Sequence, residues 1–157
     1  MPFFYAFNYT ATSSSSANNT SDAGKITSGS NVDGRIVGVY IAAYSTTAGG
    51  FDLRVTRTQT SGTGGTSYTL LPRDGTAPAA VSTASTNNTT AASGTLTTQL
   101  TVGAPATGGM GGWIMVDPDA AIKLNRGGST TSGNVDLLDI CAVASVTADL
   151  TVEVCEN

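Results

Sequence analysis

The sequence has no histidine among its 157 residues, and charged residues make up only 11% of it. That is less than half the roughly 25% usual for a soluble domain. Without imidazole there is no Ser-His-Asp or Cys-His relay and no histidine ligand for a metal. The seven Lys and Arg residues are scattered singly. They form no basic stripe for a phosphate backbone, so nucleic acid is not an expected partner. No apolar run approaches the roughly 18 residues of a spanning helix, so no membrane partner is expected either. Neither a cofactor nor a metal is expected.

What the chain does have is threonine, serine and alanine, 19 glycines, and 39% apolar residues with a net charge of −4. This composition can bury a core and does not read as disordered. The length suits one domain, or one domain plus an arm. The apolar start, Met1 to Phe7, lacks a basic flank and is interrupted by Asn8 and Tyr9. The expectation is no signal peptide, in a chain that stays in a cytoplasm or was processed before this numbering begins.

The pattern along the chain is all-β. Arg35 to Tyr44 is rich in β-branched and aromatic residues and ends in a Gly-rich break. Phe51 to Gln59 alternates, with Phe51, Leu53 and Val55 facing in and Asp52, Arg54 and Thr56 facing out. Lys25 to Thr27, Tyr68 to Leu71, Gly94 to Val102, Trp113 to Val116, Ala121 to Leu124, Leu137 to Val146 and Asp149 to Cys155 read as further strands. Thr76 to Ser93 reads as a long surface loop. Eight to ten short strands separated by turn signals, with no sustained helical period, predict an antiparallel β-sandwich of jelly-roll character.

Residues 1–22 read as a separate unit, an aromatic strand or arm followed by a Ser/Asn-rich linker, with the sandwich over residues 23–157. Phe3, Phe4, Tyr5, Phe7 and Tyr9 hold half of the chain's aromatic residues. Aromatic side chains anchor interfaces, and a tethered strand can add to another subunit's sheet edge. These five are therefore candidate partner-binding residues. The other reading makes them the first strand of the chain's own sandwich.

The two cysteines follow from parity. Leu138 and Ile140 define one face of a strand and Leu150, Val152 and Val154 that of the next, which puts Cys141 and Cys155 on the opposite faces. A hairpin centred near Ala148 sets them across from one another for a disulfide. Two free thiols in a reducing cytoplasm is the alternative.

Other motifs carry less. Gly62-Thr63-Gly64-Gly65-Thr66 has the glycine density of a phosphate cradle but neither its Lys nor its helix, and reads as a flexible hairpin tip. Asp117-Pro118-Asp119 reads as a turn rather than a cation site. Arg54 and Arg57 should face opposite sides of their sheet. Asn-x-Thr triplets, such as those at Asn8, Asn18 and Asn87, match by chance in a Thr- and Asn-rich chain.

From Arg35 onward the chain resembles small all-β proteins that decorate, or cement, the capsid exterior of tailed bacteriophages. The resemblance lies in an order of features. Arg35 to Tyr40 is followed by the Arg-bearing strand Leu53 to Thr58, the Gly62 to Thr66 loop, and Leu70-Leu71-Pro72-Arg73-Asp74. The Asn88 loop, Gly94-Thr95-Leu96, Trp113 with Pro118, and a last strand ending near Glu153 and Glu156 complete it. The Ser/Asn-rich segment and the cysteine pair depart from that pattern. The resemblance implies a virion protein without enzymatic activity, assembled in a host cytoplasm. It would be a homotrimer on the capsid exterior with the major capsid protein as partner, clamping neighbouring subunits of the expanded shell. Two alternatives stand beside it: a tail-associated or receptor-binding β module that recognises a host surface, and, behind that, a glycan-active enzyme using Asp117 or Asp119.

Overall fold

The computed structural model describes residues 1–12, 21–29, 31–44, 51–105, 109–115, 117–124, 134–141 and 147–157. Among the described residues twelve strands run in chain order: β1 Phe3–Thr12, β2 Ser21–Thr27, β3 Gly34–Tyr44, β4 Phe51–Thr60, β5 Thr66–Tyr68, β6 Leu71–Pro72, β7 Thr83–Asn88, β8 Ser93–Ala104, β9 Gly109–Ile114, β10 Ile122–Lys123, β11 Asn134–Cys141 and β12 Thr147–Glu156. A 3-10 turn at Pro118–Ala120 precedes β10.

Two antiparallel sheets form. The first has the order β10-β3-β12-β1-β6, with β9 also paired to β3; the second has the order β5-β7-β2-β11-β4-β8. Their inner faces meet in one core. Tyr5, Phe7, Ile36, Val39, Ile41, Leu150, Val152 and Val154 come from the first sheet, and Ile26, Leu53, Val55, Ala84 and Val102 from the second. This is the expected all-β sandwich, with period-two alternation deciding which side chains go in.

The aromatic N-terminus is a strand of this sandwich. All ten residues of β1 pair with β12, and β6 covers part of its other side. Tyr5, Phe7 and Tyr9 are buried. Phe7 stacks on Tyr9 at 5.6 Å and meets Tyr68 at 5.8 Å. These three rings fill the core and are not available to a partner, which corrects the free-arm reading for them; Phe3 and Phe4 are less buried. The division at residue 22 falls inside β2, which pairs with β7 and β11 in the second sheet.

The last two strands do not form a hairpin. β11 lies between β2 and β4 in the second sheet, while β12 lies between β1 and β3 in the first. Cys141 pairs with Phe51, and Cys155 pairs with Phe4 and Arg35. The register that would face the two cysteines does not exist, and Cys155 is a buried free thiol. Parity does give the apolar face of β12, since Leu150, Val152 and Val154 all point into the core.

Three smaller differences have local causes. The loop expected over Thr76 to Ser93 contains β7, whose inward residues Ala84 and Thr86 are too small to mark an apolar alternation. The segment Tyr68 to Leu71 is split between sheets: the chain leaves β5 in the second, passes the buried Leu70, and enters β6 in the first. Thr56 is buried instead of facing out, at a register shift where its hydroxyl lies 3.4 Å from that of Thr98.

Candidate functional site

The outer face of the first sheet can be read from its register. Directly opposed residues on neighbouring strands share a face. Leu71 opposes Ala6, Ala6 opposes Glu153, Glu153 opposes Gly38, and Gly38 opposes Ile114. The next row is Asn8, Thr151, Tyr40 and Gly112, and the one after it Thr10, Asp149, Ala42 and Met110. Strands about 4.8 Å apart place Leu71 and Ile114 roughly 19 Å from each other across the sheet.

This face is apolar at its margins and hydrogen-bonded through its middle. Leu71 is 63% exposed and Phe4 41% at one margin; Met110 is 82% exposed and Ile114 60% at the other. Between them, Asp149 Oδ1 accepts the hydroxyls of Thr10 at 2.6 Å and Tyr44 at 3.2 Å, and Asn8 Nδ2 donates to Thr151 Oγ1 at 3.3 Å. Arg73 forms an ion pair with Glu153. Thus the polar groups of the middle are engaged within the sheet while the large apolar groups stand free.

Glycine and alanine add little side-chain bulk to the face. The Tyr40 ring lies over the two glycines beside it: a Cβ on Gly38 would come 3.2 Å from the ring, and one on Gly112 3.0 Å. Ala6 and Ala42 add only methyl groups to the same surface. Of the five aromatic candidates, only Phe4 stands on this outer face in the exposed set. Leu71, Met110 and Ile114 were not foreseen, because their common face depends on a strand order that no local pattern reports.

The remaining candidates have structural partners. Arg35 bonds Asp119 at 2.5 Å, and the Asp119 N–H donates to Asp117 Oδ1 at 2.9 Å, so this acidic turn is tied to β3. Arg54 is exposed, whereas Arg57 reaches across the sandwich and donates to the Lys123 carbonyl oxygen. Arg57, Gln99, Leu100, Trp113 and Ile122 line a cleft of about 420 Å³ between the sheets. Among the described residues no group of three or more Cys, Asp or Glu side chains is placed to hold a metal ion.

No family model matches the chain. No curated protein matches it either. Among solved structures it is similar to the decameric BFDV capsid protein, at 13% identity and a TM-score of 0.28 over 100% of this chain and 98% of that one. It is also similar to the VP2 subviral particle of infectious bursal disease virus, at 11% identity and a TM-score of 0.18 over 99% of this chain and 40% of that one. TM-scores this low do not establish a common fold.

Proposed function

We propose that the chain is a structural virion protein that docks on the outside of an expanded tailed-phage capsid and holds neighbouring capsid subunits together. The observation that carries this reading is the outer face of the first sheet, with exposed Phe4 and Leu71 at one margin and Met110 and Ile114 at the other. Isolated surface apolar residues need no explanation, but several on one sheet face are the composition of a protein contact. Two apolar margins about 19 Å apart can each engage a different subunit.

The mechanism is mass action. A protein that binds the expanded shell and not its precursor stabilises the expanded form in proportion to occupancy. Three copies around a local axis add avidity to a modest contact, and a trimer would supply them. No chemical step is required of such a protein.

The test is quantitative mass spectrometry of purified particles, joined to shell binding by two variants. Hundreds of copies per particle are expected, near the major capsid protein in abundance. Leu71→Lys and Ile114→Lys should each weaken shell binding by at least about tenfold, with the melting midpoint unchanged. A handful of copies would move the chain to a tail or vertex, and full shell binding by both variants would overturn the docking face.

A further inference from the structure

The glycine loop between β4 and β5 is not a loose tip. Thr63 and Thr90 exchange backbone hydrogen bonds of 3.0 Å in both directions. Gly64 has a positive φ of 78°, which suits glycine. A Cβ on Gly65 would come 2.6 Å from the Thr86 carbonyl oxygen. The loop is therefore held against β7. The lysine that its own sequence lacks comes from β2, since Lys25 Nζ donates to the Gly62 carbonyl oxygen at 3.1 Å.

Beneath this loop lies a groove of about 480 Å³ on the outer side of the second sheet. That size falls within the roughly 300–1,000 Å³ of small-ligand sites. Register places Lys25 opposite Ser85, and Thr27 opposite Thr83. With Thr63, Ser67 and Thr69 they give the groove a wall rich in hydroxyl groups. Among the described residues of the lining, Lys25 is the sole charged one. Asp136 opposes Lys25 on the β11 side. The ammonium reaches the loop, beyond β7, at the Gly62 carbonyl oxygen.

We infer that this groove binds an acidic saccharide, its carboxylate on Lys25 and its ring hydroxyls on the Ser and Thr side chains. Hydroxyl groups both donate and accept, so a wall of them matches a polyol, which does the same. One ammonium suits one carboxylate. A phosphate monoester carries nearly two charges and calls for several cations or a converging set of N–H groups. Glycine at Gly64 and Gly65 lets the loop pack closely on Thr89 and Thr86, which fixes that wall of the groove. The groove lies on the sheet opposite the proposed docking face, so a chain seated on a shell would still present it outward.

The experiment is calorimetric titration of the full chain with N-acetylneuraminic acid, glucuronic acid, neutral lactose and inorganic phosphate. Both acidic sugars should saturate in the range of about 1 mM, with lactose weaker. Lys25→Gln should weaken the acidic sugars about tenfold and bring them level with lactose. Ser85→Ala, which keeps the Lys25 contact to the loop, should weaken all the sugars about threefold, with melting midpoints confirming that each variant folds. The inference is overturned by phosphate binding as tightly as the sugars, by no saturation with either acid, or by an affinity that Lys25→Gln leaves unchanged. Sugar binding and shell binding use different sheets, so failure of one is distinguishable from failure of the other.

Discussion

Gly111 on β9 and Gly103 on β8 approach so closely that a methyl group on Gly111 would overlap the Gly103 carbonyl oxygen, with the carbonyl carbon 3.0 Å away. Here the edges of the two sheets meet, and the obstacle is backbone, which cannot swing aside as a side-chain end can. Gly111→Ala is expected to cost about 1–3 kcal/mol by forcing β9 off β8. A methyl group on Gly75 would meet nothing within 4 Å, so Gly75→Ala should stay within about 0.5 kcal/mol of the parent. Urea denaturation of the two variants compares them directly, and equal midpoints would remove the close approach as a constraint.

Glu156 is buried at the end of β12 and accepts two backbone N–H groups, from Ser82 at 2.6 Å and from Val81 at 3.1 Å. It ties the connection ahead of β7 to the centre of the first sheet. Removing the carboxylate takes away the acceptor of both donors. Glu156→Ala is expected to cost about 2–4 kcal/mol, and Glu156→Gln, which keeps one acceptor oxygen, about half as much. At this chain length that predicts a fall in melting midpoint of roughly 4–16 °C for the alanine variant. A midpoint within about 1 °C of the parent would show that neither bond matters.

Strong alternation was legible, and weak alternation was not. Arg35 to Tyr44, Phe51 to Gln59 and Asp149 to Cys155 carry branched or aromatic residues at alternating positions of the sequence, and they correspond to β3, β4 and β12. β7 offers only Ala84 and Thr86, so its existence depends on β2 and β5 lying beside it. Partner choice was the larger loss. A hairpin is the local solution for β11 and β12, but β11 pairs instead with β4, where Leu137 opposes Val55. The candidate docking face needs five strands in the order β6, β1, β12, β3 and β9, so neighbours in space are far apart in sequence.

Phe7 and Phe4 separate the structural and interface uses of the same strand. Phe7 is packed between Tyr9 and Tyr68, and Phe7→Ala should cost about 3–5 kcal/mol. Phe4 is partly exposed on the outer face, and Phe4→Ala should cost less than about 1 kcal/mol while weakening shell binding. Deleting Met1 to Tyr9 removes a central strand and should abolish the cooperative unfolding transition. A truncated chain that still melts cooperatively near the parent midpoint would restore the free-arm reading.

Alkali should destabilise the fold, and two buried acids set the direction. Burial raises the Cys155 thiol above its ordinary value of 9.0, with the Arg35 charge opposing the shift. Burial, reinforced by the Glu156 charge, raises the Tyr5 phenol above its ordinary value of 10.0. Between the unfolded and folded pKa of each group, the folded chain holds a proton that the unfolded chain has lost. Stability is therefore complete below the unfolded value and falls as pH rises through the folded one. The melting midpoint should stay level up to about pH 8 and decline above about pH 9, where the unfolded thiol begins to ionise. Cys155→Ala removes the first part of that decline and leaves the part that Tyr5 contributes above about pH 10. A midpoint that stays flat through this range, or the same profile in parent and Cys155→Ala, would show that neither buried proton is linked to folding.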